Sequence, residues 1–150
     1  MPLEVNVVLS LPRDELTVPV VRHLCDFAMQ ELGVEVGCRS DILLALTEAC
    51  TNVIDHSDGV HHYEVRLVLD EERCTIQVKD DGAGFSFAGR GGDQPLDLSA
   101  EEGRGIDLMH ALVDRVSFTS EPREGTIVNL HKQLEFVDGH PVRERLIARS

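Results

Sequence analysis

The segment LALTEACTNVIDHS, Leu44 to Ser57, reads as an amphipathic helix with two stripes instead of one. Ile42, Leu46, Ala49 and Val53 repeat at the spacing of a buried helix face, and Glu48, Asn52 and His56 recur every fourth position beside them. At about 100° per residue each four-residue step advances only about 40°, so the polar three form a slanted row flanking the apolar stripe. Such a helix must pack against a core and still present a carboxylate, an amide and an imidazole at the core's border. A solvated face would point away from the core and admit Lys or Arg, and this row has neither. Read alone, the row is better explained as solvated boundary residues than as the wall of a site.

The segments around it set the fold class. Leu3, Val5, Val7 and Leu9 alternate as in a strand. Thr17-Val18-Pro19 predicts a helix start, and Val20, Val21, Leu24, Phe27, Ala28 and Leu32 carry the helical repeat to Gly33. Ser40 is placed to cap the next helix, Asp41 to about His56. Tyr63, Val65, Leu67 and Leu69 alternate, Asp70-Glu71-Glu72 turns the chain, and Cys74, Ile76 and Val78 alternate again, a hairpin pattern. Ile106 to Val113 is helical in spacing, and Val116, Phe118 and then Ile127, Val128, Leu130 predict two last strands around Glu124-Gly125. In the tail, residues 133–150, Val142 to Ala148 suggests a short helix. The expected fold is a single α+β domain: a two-layer sandwich of a mostly antiparallel sheet with helices on one face.

Composition narrows the partners. A chain of 150 residues is long enough to bury a sizeable core. Its formal net charge of −13 argues against direct nucleic-acid binding, which needs a basic surface to displace counterions. No apolar run approaches the roughly 20 residues of a membrane span, and the first residues lack a basic-then-apolar secretory pattern, so a cytoplasmic protein is expected. Cys25, Cys38, Cys50 and Cys74 are widely spaced, without a C-x-x-C pair, and read as reduced core thiols. His61 and His62 are adjacent, and successive strand residues face opposite ways, which discounts them as a shared metal site.

Three more motifs accompany the polar row. Lys79-Asp80-Asp81-Gly82-Ala83-Gly84-Phe85 puts an acid at a strand end followed by G-x-G. Glycines there let the backbone approach a ligand closely, and the acid can accept a hydrogen bond from a ligand amine. No helix with a third glycine follows, which excludes a dinucleotide fingerprint, and no G-x-x-x-x-G-K-[ST] loop occurs. Residues 82–105 are glycine-rich with little periodicity, as in a loop that is either disordered or functional, such as a lid. Gly103-Arg104-Gly105 ends that loop and opens a helix whose free N–H groups suit a phosphate, with Arg104 adding charge-assisted donors if it points inward. Glu124-Gly125-Thr126 enters the last strand. Each has an ordinary structural explanation when taken alone.

Taken together and in this order, E-x-x-x-N-x-x-x-H, D-x-G-x-G, G-x-G and G-T resemble the GHKL ATPases, whose ATP-binding domain is called the Bergerat fold. The resemblance runs from Ser40 to Leu130. The short form, without a preceding helix pair bearing a phosphoacceptor histidine, is similar to anti-sigma-factor serine/threonine kinases of the RsbW and SpoIIAB type. It implies ATP and Mg2+ as cofactors, with Asn52 on the magnesium that carries the triphosphate and Glu48 polarising the attacking hydroxyl. It also implies Asp80 on the adenine amino group, Gly82 and Gly84 shaping that pocket, and Thr126 near the same base. Residues 85–102 would be the ATP lid, Gly103, Arg104 and Gly105 would meet the phosphates, and His56 would close its helix. The implied partners are a sigma factor and a STAS-type anti-anti-sigma protein, and the resemblance allows a homodimer. Two other functions stay open: a non-catalytic, ATP-dependent protein-binding module, and an ATPase domain acting in trans on a separate histidine phosphotransfer protein.

Overall fold

In the computed structural model, which describes residues 3–56, 62–80, 100–121 and 125–149, the alternating segments pair into one five-stranded sheet. Its strands are β1 (Glu4–Pro12), β2 (His62–Asp70), β3 (Arg73–Asp80), β4 (Arg115–Glu121) and β5 (Gly125–Gln133), in the order β1-β2-β3-β5-β4. Every neighbouring pair is antiparallel. The β2–β3 hairpin is tight because Asp70 Oδ1 accepts the N–H groups of both Glu72 and Arg73, at 2.7 and 2.6 Å. Period-2 alternation buries Tyr63, Val65, Leu67 and Leu69 of β2 on the same face as Cys74, Ile76 and Val78 of β3. Helices α1 (Val18–Glu31), α2 (Val36–His56) and α3 (Ala100–Leu112) cover that face. The expected two-layer α+β sandwich is the observed fold.

Helix α2 holds the centre of the helical layer. Its expected stripe, Ile42, Leu46, Ala49 and Val53, is fully buried. It begins at Val36, however, and Ser40 lies inside it instead of capping it. The chain leaves α1 through Gly33, whose φ of 79° is a left-handed turn that suits glycine. Val34 then bridges to Phe136, the Glu35 N–H is taken by the carbonyl of Glu135 at 2.8 Å, and the Glu35 carbonyl accepts the Arg39 N–H at 2.9 Å. Long-range pairing, not a local cap, starts this helix.

Two other expectations change. In α1 the buried row is Val21, Cys25 and Met29, while Val20, Leu24 and Phe27 face outward, Phe27 with 63% of its surface exposed. Helix α3 starts at Ala100, so residues 100–102 belong to it and not to the loop before it, and Gly103-Arg104-Gly105 lies within its first turns. The tail forms α4 (Pro141–Arg149), as its pattern suggested. Val142 is buried, and Glu71, itself 8% exposed, joins Arg145 and Arg149 of α4 and the N–H of Leu3.

All four cysteines are free and buried. Desolvation raises every one of these thiols, Cys25 to about 12, so they are neutral packing groups. Among the described residues no helix is long and apolar enough to cross a membrane.

Candidate functional site

The polar row on α2 and the acid ending β3 come to the same end of the sheet. Asp80 closes β3, opposite Tyr63 in the β2 register, and its side chain is completely buried on the helix face. A carboxylate at the end of a strand has several acceptor sites, so it can take a hydrogen bond from a planar ligand's amine. Glu48 and Asn52 are half-buried on the flank of α2, one turn apart. The helical spacing read from the sequence therefore does place them at the border of the core.

What they face is Gly105 of α3. An ideal Cβ built on Gly105 would stand 2.9 Å from Glu48 Oε2 and 3.8 Å from Asn52 Oδ1. The carboxylate and the amide oxygen thus converge on one buried point of α3's backbone, and the missing side chain lets the two helices close up there. The N–H groups that a helix leaves without partners belong to its first turn, here residues 100–103, which includes Gly103. Gly105 lies past that turn, and its missing side chain leaves room for Glu48 and Asn52. The sequence singled out this glycine for a different reason, and nothing in local spacing could have shown the contact across helices.

Of the remaining expected site residues, Arg104 lies in α3 and Thr126 in β5, where it pairs with Ser120 in register. His56 is the last residue of α2. Gly82 and Gly84, and residues 85–99 of the expected lid, lie outside the described residues. Asn52 and Glu48 offer neutral and charged oxygens side by side, the hard donors that magnesium accepts alongside phosphate and water.

A cleft of about 1160 Å³ opens at the other end of the sheet, among Glu71, Arg73, Asp114, Lys132 and Phe136. Arg73 and Asp80 are the two ends of β3, roughly 23 Å apart at about 3.3 Å per residue. This cleft contains none of the expected site residues. Size alone does not make it the site, because Asp80, Glu48 and Asn52 lie away from it.

Residues 11–132 match the model of a family described as the histidine kinase-like ATPase domain. The chain is 26% identical over 145 residues to a protein of Bacillus mycoides (strain KBAB4) named serine-protein kinase RsbW, covering 89% of this chain and 91% of that one. A protein of the same name from Bacillus cereus (strain Q1) is 27% identical with the same coverage. Among solved structures, the RsbU and RsbW domains of a Mycobacterium tuberculosis protein superpose with a TM-score of 0.67 at 18% identity, over 89% of this chain and 34% of that one. The histidine kinase domain of a blue-light activated histidine kinase from Erythrobacter litoralis gives 0.50 at 18% identity, over 82% and 61%. At these identities the two structures speak for the fold.

Proposed function

The chain belongs to the family of histidine kinase-like ATPase domains, and on that premise we propose that it is a protein-serine/threonine kinase and anti-sigma factor of a partner-switching pathway. The observation that carries this reading is the convergence of Glu48 Oε2 and Asn52 Oδ1 on Gly105, at the end of the sheet where Asp80 is buried. The relatives named serine-protein kinase RsbW support the same activity.

The chemistry follows from what each residue offers. Asp80 accepts the adenine amino group, which selects ATP over a nucleotide with an oxygen at that position. Asn52 supplies an amide oxygen toward the magnesium of the nucleotide. Held there with the nucleotide's phosphates, magnesium would supply positive charge to offset what develops during transfer. Glu48, one turn earlier, takes the proton of a serine or threonine hydroxyl on the protein substrate as its oxygen attacks the γ-phosphorus. The bond from that phosphorus to the bridging oxygen breaks, and ADP leaves with the electron pair. The substrate is a small STAS-type antagonist, and the competing partner is a sigma factor. A strongly acidic chain meets such proteins through specific surfaces and has little affinity for DNA.

Radiolabelled ATP with magnesium, incubated with this chain and STAS-type proteins encoded beside it, tests the reading. Label transferred to a serine or threonine of one of them, and abolished by Glu48→Gln, is the expected result. Tight ATP binding with no transfer to any of these proteins would leave a passive binding module instead.

A further inference from the structure

The segment joining β1 to α1, residues 13–17, belongs to none of the motifs above, yet it touches both halves of the candidate site. Arg13 donates from Nε to the carbonyl of Ile54 at 2.5 Å. That carbonyl is among the last four of α2, which the helix itself leaves without a partner. A guanidinium at this place also complements the negative end of the helix dipole. Ile54 lies two residues beyond Asn52, so Arg13 holds the turn of α2 from which the amide projects.

The other end of the segment is fastened to β2. Thr17 Oγ1 lies 2.5 Å from the Tyr63 hydroxyl, and Thr17 donates its own proton to the carbonyl of Asp14 at 2.6 Å. A threonine hydroxyl has one proton to give, so the tyrosine is the donor of the shared bond. Burial pushes the Tyr63 phenol up to about 12, so it keeps that proton at neutral pH. Tyr63 is the cross-strand partner of Asp80, and both side chains are buried on the helix face. Directly opposed side chains of this kind stand about 5 Å apart, so the ring is a wall against which the carboxyl is set.

We propose that Arg13 and Tyr63 are positioning residues, and that residues 13–17 form a strap fixing the span between Asp80, which takes the base, and Asn52, which takes the magnesium-bound phosphates. The inference rests on the nucleotide-binding reading above. Its consequence is a separation of effects. The Arg13 tether governs the phosphate end, and the Thr17–Tyr63 tether governs the base end.

Calorimetry on the full chain tests this with three titrations: ATP with magnesium, ATP with a chelator, and GTP with magnesium. Arg13→Gln is expected to shrink the gain in ATP affinity given by magnesium about threefold to tenfold, the size of one net hydrogen bond, with the ATP-over-GTP preference kept. Arg13→Lys, whose ammonium can still donate to the carbonyl, should recover most of that gain. Tyr63→Phe should narrow the ATP-over-GTP preference by a similar factor and leave the magnesium gain alone. Thermal melts of each variant separate these effects from simple destabilisation. A loss spread equally over all three titrations would make the residues structural only and overturn the strap. So would variants that bind like the natural chain. If Tyr63→Phe does not fold, the two Arg13 variants decide the matter alone. A natural chain that binds no nucleotide overturns the nucleotide reading itself, and the strap with it, a result distinct from nucleotide binding that Arg13 and Tyr63 do not affect.

Discussion

A methyl group added at Gly105 would come within 2.9 Å of Glu48 Oε2, the free end of a flexible side chain. The carboxylate can swing aside at little cost, and alanine is favoured over glycine in a helix by about 1 kcal/mol. Gly105→Ala is therefore expected to keep or raise the melting temperature while lowering phosphoryl transfer, because the carboxylate is displaced from its place against Gly105. Calorimetric melting beside a transfer assay on the same preparation checks the split, and a normal transfer rate would remove Glu48 from the chemistry. Glu48→Gln keeps the volume and loses the base. It should bind ATP normally and transfer about 10²–10⁴ times more slowly in single-turnover assays. Asp80→Asn exchanges a charge-assisted acceptor for a neutral amide, and ATP affinity should fall roughly tenfold to a hundredfold by calorimetry. Equal wild-type affinities for ATP and GTP would place the adenine elsewhere.

Among the elements, the start of α2 and the tail depend on each other. Gly33 carries a φ of 79°, and a Cβ there would lie 2.2 Å from the His140 ring, just before α4. The left-handed conformation alone costs an L-residue about 1–2 kcal/mol, and the imidazole would have to move as well. Gly33→Ala should lower stability by at least about 2 kcal/mol in urea denaturation, with an unchanged m-value if the native state keeps its shape. On the other side of the tail, Glu71 draws together Leu3, Arg145 and Arg149 from a nearly buried position. Glu71→Ala is expected to release α4, seen as faster hydrogen exchange across residues 141–149 with little change in α2. Slow exchange in α4 after that substitution would mean that Val142 and its apolar neighbours hold the helix unaided.

At the scale of the molecule, one core couples these parts. Cys25 and Cys50 lie in it on α1 and α2, and Cys74 on β3, all fully shielded and with thiols held protonated by burial. A thiol reagent should modify them only when the chain opens, so the rate of modification reports stability. A ligand bound by the folded state alone adds stability as its concentration exceeds its dissociation constant, about 2.7 kcal/mol at a hundredfold excess. Magnesium and ATP should accordingly slow modification of these cysteines about a hundredfold under such conditions, and Asn52→Ala should lose that protection. Modification in the native state at the rate of a free thiol would contradict the packing described here.

Local spacing was enough to locate much of this protein. The alternation of Tyr63 to Leu69 and of Cys74 to Val78 determined two strands and the face each buries, because a period of two leaves no choice once one side is apolar. The same holds for the Glu48 and Asn52 row, whose place on α2 follows from the helical repeat alone. The buried face of α1 was not legible. Val20, Val21, Leu24, Cys25, Phe27 and Met29 are apolar nearly all round the helix, and only the positions of α2 and β2 select Val21, Cys25 and Met29 for the core. The true start of α2 was hidden for a related reason, since it is made by hydrogen bonds to Glu135 and a bridge to Phe136 about a hundred residues along the chain. Arg13 carries no motif, and its partner Ile54 is 41 residues away. The insertion of β5 between β3 and β4, and the meeting of Gly105 with Glu48, likewise depend on how whole elements pack. Periodicity reports what one element does with its own faces. Which elements meet is decided by the shared core, and no residue expresses that by itself.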